Sequence, residues 1–226
     1  MKKKNNPLIK GIENRPYIAS EISDFKTSKG DCLKTSKIMV LCRCGKSRSK
    51  PFCDGSHVKA NFKSEKIEGR QPDKVDDYVS SGITIHDNRG VCSHIGYCTD
   101  NLPSVYRMKR EPWIDPEGAS IAENISLIKT CPSGALSYSV GGVKHDSVNR
   151  KPGISLRKDG PYHIVGGIIL EDYNKSKPQS KEHYTLCRCG GSKNKPFCDG
   201  THWYIKFRHD ESNIPLEKCK ETEVEE

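Results

Sequence analysis

The chain has 226 residues, of which 33% are hydrophobic and 30% are charged, and its formal net charge is +9. So few apolar residues disfavour one large core and favour small domains stabilised by bound inorganic groups. No run approaches the roughly 20 apolar residues of a membrane-spanning helix, and no apolar leader follows the lysine-rich start, so we expect a cytoplasmic protein with no membrane partner. The basic residues are scattered along the chain, which argues against nucleic acid. A solvated basic surface is the simplest interpretation of this charge, and docking to acidic partner proteins is the functional alternative.

Cysteine is the most informative residue type, with eleven copies in the chain. Nine of the eleven fall in spacings typical of metal clusters. Because no secretory signal accompanies them, the sequence predicts reduced thiols rather than a disulfide framework. Cys32 and Cys219 lie outside every motif, and we expect both to be free thiols.

The first unit of the chain is predicted over 7–63, after a basic tail at 1–6 that we expect to be flexible. A predicted strand over 38–41 leads into three thiols and one imidazole within 42–57, in the pattern Cys-Arg-Cys-x8-Cys-Asp-Gly-Ser-His. A Cys-x-Cys pair can reach one metal, and a Cys-x3-His pair can reach a second. A short helix is predicted after the histidine, through 61–62, and another after the histidine of a second copy of this pattern, through 204–207.

The same sixteen-residue pattern recurs at 187–202, with threonine in place of serine and a constant offset of 145. The register extends well beyond the motif, because 7–63 and 152–208 align without a gap. This indicates duplication of a whole domain. In the second copy, 161–170 is β-rich with a Gly-Gly break that predicts a bend or a hairpin, and 184–186 predicts the strand before the motif.

The duplicated pattern resembles the CDGSH iron–sulfur motif of NEET-type proteins. The resemblance implies one 2Fe–2S cluster per copy, with three cysteines and one histidine as ligands. The implied ligands are Cys42, Cys44, Cys53 and His57 in the first copy, and Cys187, Cys189, Cys198 and His202 in the second. Proteins with one such motif pair as strand-exchanged homodimers, so we expect a monomer whose repeats form an intramolecular pseudo-dimer. Zinc stays open as the alternative metal, although structural zinc sites more often use Cys-x2–4-Cys pairs.

A polar linker leads to a middle segment over 77–145. A strand is predicted over 83–86 and a turn over 87–90. Further along, Asp115 followed by proline predicts the start of a helix. Isoleucines spaced for one face of that helix occur within 121–128. We expect the helix to deliver the next cysteine to the side of the segment that holds the earlier ones.

The cysteines of the middle segment are Cys92, Cys98 and Cys131, the last followed by proline. Their spacing resembles the divergent single-cluster ferredoxin family that often accompanies CDGSH motifs. Ordinary single-cluster ferredoxins have Cys-x2-Cys-x2-Cys with a distant Cys-Pro, but here Ile95 takes the middle position and cannot ligate. Either His94 is the fourth ligand of a 4Fe–4S cluster, or the three cysteines alone hold a 3Fe–4S cluster with His94 as a hydrogen-bond donor behind them. Three ordinary core thiols are the remaining alternative.

The expected fold class is therefore α+β, with two β-rich CDGSH domains and an inserted α+β ferredoxin-like domain. The sequence contains no phosphate-binding glycine loop, no nucleotide-binding signature and no nucleophile–base pair, so we expect no enzyme active site. The resemblances imply electron transfer between a reductase and an acceptor. Donation of clusters to apo-acceptors, redox or stress sensing, and a zinc-stapled binding module are the alternatives. Residues 209–226 predict an acidic, flexible tail.

Overall fold

The computed structural model describes residues 6–219, whose strands form three four-stranded sheets. The strands are β1 (Leu8–Gly11), β2 (Tyr17–Ser20), β3 (Phe25–Lys26), β4 (Ile38–Leu41), β5 (Val75–Val79), β6 (Thr84–Asn88), β7 (Leu136–Val140), β8 (Val143–His145), β9 (Gly153–Leu156), β10 (Tyr162–Val165), β11 (Ile169–Asp172) and β12 (Tyr184–Leu186). The helices are α1 (Ser56–Lys59), α2 (Tyr97–Asn101), α3 (Ile121–Ile128) and α4 (Thr201–Tyr204). This confirms a β-rich arrangement. Within 6–219, no helix is both long enough and apolar enough to cross a membrane.

Two of the sheets combine strands of both repeats. In the sheet ordered β11–β1–β2–β4, β11 of the second repeat lies parallel to β1 of the first. In the sheet ordered β12–β10–β9–β3, β3 of the first repeat lies parallel to β9 of the second. The offset of 145 places β3 and β11 at equivalent positions, so the repeats exchange equivalent strands. The Gly-Gly break after β10 is a bend, with both glycines at positive φ, that carries the chain from one sheet to the other.

The strand exchange gives the two repeats one shared core. Its members from the first repeat include Ile9, Tyr17, Ala19, Phe25, Leu33 and Leu41, and those from the second include Ile154, Leu156, Tyr162, Ile164, Tyr184 and Leu186. At its centre the Tyr17 and Tyr162 rings meet edge to face, with centroids 6.3 Å apart. Each hydroxyl donates to the ligand loop of the opposite repeat, Tyr17 to the Pro196 carbonyl at 3.0 Å and Tyr162 to the Pro51 carbonyl at 2.8 Å. The core therefore connects the loops of the two repeated motifs directly.

The middle segment forms a separate antiparallel sheet, ordered β5–β6–β7–β8, over a second hydrophobic core. The predicted strand at 83–86 is present as β6, but β6 continues to Asn88. The turn predicted over 87–90 starts later, as a 3-10 turn over Arg89–Val91 that is capped by the Asn88 side chain. Asp87 remains in the ladder because it pairs with Leu136 of β7.

The predicted helix start at Asp115 is wrong. Asp115 caps only a 3-10 turn, Pro116–Gly118, and Ala119 is extended. The α-helix begins after Ser120, whose hydroxyl and backbone N–H form a reciprocal capping box with Glu123. A serine followed three residues later by glutamate satisfies two otherwise unpaired N–H groups, which makes it the stronger start signal.

The end of the described chain lies against the first repeat. Leu216 forms a bridge with Leu33, and the Glu217 N–H donates to the Cys32 carbonyl at 2.9 Å. Cys32 and Cys219 form a disulfide, so the prediction of two free thiols is wrong. The expected flexible tail is thus attached to the fold as far as Cys219, whereas 220–226 and the predicted tail at 1–5 lie outside the described residues.

Candidate metal centres

The first repeat places its Cys-x-Cys pair at the end of β4. Cys42 and Cys44 are buried, and their sulfurs lie 3.9 Å apart. The Cys42 N–H donates to the Pro51 carbonyl at 2.8 Å, and the Cys53 N–H donates to the Val40 carbonyl at 2.8 Å. These two backbone bonds fold the loop back so that the third cysteine lies beside the first pair. The pKa of Cys44 is lowered to about 6, chiefly because its thiolate accepts a hydrogen bond from Cys42.

The third cysteine of each repeat is paired with the histidine of its motif. The Cys53 sulfur lies 3.5 Å from His57 Nδ1, and the Cys198 sulfur lies 3.4 Å from His202 Nδ1. The helices predicted after the histidines instead include them, because α1 and α4 each begin one residue before the histidine. In each repeat the glycine before that first helical residue has a left-handed backbone, with φ of 85° and 80°. This turn brings the imidazole back over the sulfur four positions earlier.

The aspartate of each motif ties the ligand loop to itself. Asp54 accepts from the Ser56 N–H at 3.0 Å and from the Arg48 N–H at 2.9 Å. Asp199 accepts from the equivalent N–H groups of Thr201 at 3.0 Å and Lys193 at 2.7 Å. Hydrogen bonds from Ser56 and Arg48 hold the pKa of Asp54 well below its usual range. The two carboxylates therefore fix the conformation of the loops that carry the proposed ligands.

The donor pairs have the spacing of two ligands on one tetrahedral metal. Two thiolates at about 2.3 Å from a tetrahedral ion lie about 3.8 Å apart, and a thiolate and an imidazole nitrogen lie about 3.6 Å apart. The sulfurs of Cys42 and Cys44 are separated by 3.9 Å, and those of Cys187 and Cys189 by 3.8 Å. Among residues 6–219, no group of three or more His, Cys, Asp or Glu side chains is arranged to hold a single metal ion. Each repeat thus presents its four donors as two pairs.

The two ligand loops meet back to back. A Cβ built on Gly45 would lie 2.3 Å from the Cys189 carbonyl oxygen, and one built on Gly190 would lie 2.4 Å from the Cys44 carbonyl oxygen. Both glycines also have positive φ, so no other residue fits this approach. The contact brings the backbones of the two Cys-x-Cys segments together.

The arginines between the paired cysteines are buried residues of the site that we did not single out from the sequence. Arg43 and Arg188 are each 1% exposed, and each guanidinium lies over a core tyrosine of its own repeat, at 4.7 Å and 5.8 Å from the ring centroid. Arg43 faces Asp172 of β11 at 3.7 Å. Arg188 instead donates to the His209 ring nitrogen at 2.7 Å. Their recurrence at the offset of 145 was the signal that could have identified them.

The middle segment brings its three cysteines to the wall of one cavity of about 900 Å³. Cys92 follows the 3-10 turn, Cys98 lies in α2, and Cys131 follows α3. Burial raises the pKa of Cys92 to about 12, and burial together with the nearby Cys131 raises the pKa of Cys98. Thiols bind metals in their deprotonated form, and three half-buried thiols that face one cavity, with Arg89 in the same wall to offset thiolate charge, fit a metal-bound group. Ile95 lines the same cavity and offers no donor atom.

His94 lines this cavity too, and it also touches the second repeat. Its backbone is left-handed, with φ of 52°, and its carbonyl accepts from the Trp203 indole at 3.0 Å. Burial lowers the pKa of His94, as does the charge of Arg89. The described geometry places His94 between the middle cysteines and α4.

Comparison with known proteins matches three parts of the chain. The family described as iron-binding zinc finger, CDGSH type, matches residues 14–58 and 159–203. The family described as divergent 4Fe-4S mono-cluster matches residues 78–141. The "uncharacterized protein YjdI" of Escherichia coli, from strain K12 and from O157:H7, is 38% identical over 61 residues, which cover 27% of this chain and 80% of that protein. No solved structure matches the chain.

Proposed function

Because the chain belongs to the iron-binding CDGSH family, with a divergent 4Fe-4S mono-cluster domain between its two CDGSH domains, we propose that this iron–sulfur protein transfers electrons through three clusters. The two repeats would each hold a 2Fe–2S cluster and form an intramolecular pseudo-dimer. The proposed ligands are Cys42, Cys44, Cys53 and His57 for one cluster and Cys187, Cys189, Cys198 and His202 for the other. Cys92, Cys98 and Cys131 would hold a 3Fe–4S or 4Fe–4S cluster in the ferredoxin-like domain. When bound, such clusters accept and release single electrons.

The arrangement of the donors in pairs is the observation that carries this proposal. Each repeat offers two donors at the spacing of one tetrahedral metal and two more at the spacing of a second. Two metals with two protein ligands each need bridging ligands to complete their coordination, and sulfide supplies them in a 2Fe–2S cluster. One zinc ion would instead need all four donors around a single point. The pairing therefore favours iron–sulfur clusters over the zinc-stapled module.

The protein groups around the sulfurs suit a change of one electron. Backbone N–H groups donate to sulfur at 3.4 Å in both repeats, from Lys46 to Cys44 and from Gly191 to Cys189. Such bonds favour the more negative, reduced state and so raise the reduction potential. The buried cations Arg43 and Arg188 act in the same direction, because their charge offsets the negative charge of thiolate ligands at low dielectric.

Cluster donation is the second candidate, and one asymmetry favours it for the first repeat. Cys53 and His57 are only partly buried, and Asp54 and Gly55 between them are exposed. In the second repeat, Cys198 and His202 are 2% and 3% exposed. An acceptor could reach the histidine end of the first site more easily than that of the second.

Repeated redox cycling with iron measured at each step tests the proposal. Electron transfer predicts that the protein is reduced and reoxidised several times with its iron and sulfide contents unchanged. Cluster donation predicts that oxidation in the presence of an apo-ferredoxin moves iron from this protein to the acceptor. Transfer that accounts for the loss of the first repeat's signal would replace the electron-transfer proposal with the donor function.

A further inference from the structure

The middle segment is attached to the ligand loop of only one repeat. A Cβ built on Gly200, within Cys198-Asp199-Gly200-Thr201-His202, would lie 2.8 Å from His94 Cβ and 2.9 Å from His94 Cδ2. The histidine side chain is therefore in close contact with the backbone between two proposed ligands. The Trp203 indole donates to the His94 carbonyl at 3.0 Å on the other side of this contact.

A second contact joins the middle segment to the same repeat. The buried Asn194 amide donates to the Gly90 carbonyl at 2.6 Å and to the Asp73 carboxylate at 3.0 Å. Gly90 lies two residues before Cys92, so both contacts hold the loop that begins the middle cysteine site. Asn194 lies in the loop between the two donor pairs of the second repeat.

The first repeat lacks every one of these contacts among the described residues. Gly55 is the equivalent of Gly200 and has nearly the same φ, 85° against 80°, yet nothing lies within 4 Å of a Cβ built on it. Val58 stands where the second repeat has Trp203, and it is 66% exposed. Ser49 stands where the second repeat has Asn194.

We infer that His94 is a positioning residue that holds the middle cysteine site against the second repeat's ligand loop, so that the middle site is coupled to the second repeat's site and not to the first repeat's. The inference rests on the proposed function, because coupling requires a cluster at each site. It assigns His94 to the contact with Gly200 and leaves the middle cluster to Cys92, Cys98 and Cys131. The first repeat's exposed loop is then the end of the protein that is open to a partner.

Electron paramagnetic resonance of partly reduced protein measures this coupling, because two nearby paramagnetic clusters split and relax each other's signals. We would compare Cys53→Ala with Cys198→Ala, which remove equivalent ligands from the first and second repeats. The inference predicts that the interaction seen in the middle cluster's signal persists in Cys53→Ala and disappears in Cys198→Ala. Persistence in both variants, or loss only in Cys53→Ala, would overturn it.

A second pair of variants tests the contact itself. Gly200→Ala forces a methyl group into His94, whereas Gly55→Ala places the same methyl group, at nearly the same φ, in open space. We expect the interaction with the middle cluster to weaken in Gly200→Ala only. Alanine at positive φ strains both ligand loops alike, so Gly55→Ala is the control for any iron loss that this strain causes.

His94→Ala separates positioning from ligation without disturbing the second repeat's backbone. The inference predicts that the middle cluster keeps its g values and its iron while its interaction with the second repeat weakens. Changed g values or lost iron would identify His94 as a ligand and contradict the inference. Wild-type protein with no paramagnetic clusters would refute the proposed function itself, a result distinct from clusters that are present but uncoupled.

Discussion

The ion pair between Arg43 and Asp172 gives a sharp test of the strand exchange. Arg43 lies between two proposed ligands of the first repeat, and Asp172 lies on β11 of the second repeat, with both side chains at most 1% exposed and 3.7 Å apart. Asp172→Asn keeps the shape and removes the charge, which leaves a buried guanidinium without a counter-ion. Breaking a buried pair in this way costs about 3–5 kcal/mol of unfolding free energy.

The matched control is the preceding residue on the same strand. Glu171 pairs with Lys10 of β1 at 3.6 Å, but both side chains are more than half exposed. Glu171→Gln should therefore cost no more than about 1 kcal/mol. Urea unfolding followed by circular dichroism measures the loss of unfolding free energy in both variants. With a slope of roughly 2 kcal/mol per molar, Asp172→Asn should lower the midpoint by about 1.5–2.5 M.

Equal, small shifts for the two variants would refute the pairing of β11 with the first repeat's ligand loop. A double variant, Arg43→Met with Asp172→Leu, keeps the result interpretable. Because replacing both charges by apolar groups of similar volume is often neutral or stabilising, it should recover most of the loss.

Three further outcomes are expected. Cys219→Ser opens a covalent loop of 187 residues and should lower the unfolding free energy by about 2–5 kcal/mol. A reducing agent should cause the same loss in the wild type and no further loss in the variant. Burial raises the pKa of Asp87 to about 7. The folded state then binds more protons than the unfolded state between about pH 4 and pH 7, so wild-type stability should fall as pH rises through this window while Asp87→Asn stays level, and parallel curves would contradict this. Ligation needs the unprotonated imidazole, so mild acid should bleach the clusters, and His57→Cys combined with His202→Cys should slow the loss of visible absorbance. Equal bleaching rates would exclude histidine as the acid-sensitive ligand.

The pairing of donors within each CDGSH motif could be predicted from sequence because a duplicated pattern at constant offset keeps every donor in register. The exchange of β3 and β11 could not, since each is a short strand whose alternation fixes the face it buries but not the sheet it joins. The disulfide between Cys32 and Cys219 was missed because its cysteines are 187 residues apart and lie in no motif. Its presence departs from the reduced compartment that we expected from cysteine spacing.

The middle segment contains two sequence patterns that each predict the start of the same helix. Asp115-Pro116 and Ser120 with Glu123 are both valid helix starts in sequence, and the structure uses them for two consecutive turns rather than one helix. The role of His94 depended on its contact with a glycine more than one hundred residues away, which no local pattern reveals.

Visible and electron paramagnetic resonance spectra of protein purified without oxygen test the central claim most directly. Iron, sulfide and zinc are assayed on the same sample. The account predicts a red-brown protein with two 2Fe–2S signals and a distinct third signal, whose redox state distinguishes 3Fe–4S from 4Fe–4S. A colourless protein that holds stoichiometric zinc, with no sulfide, would contradict it.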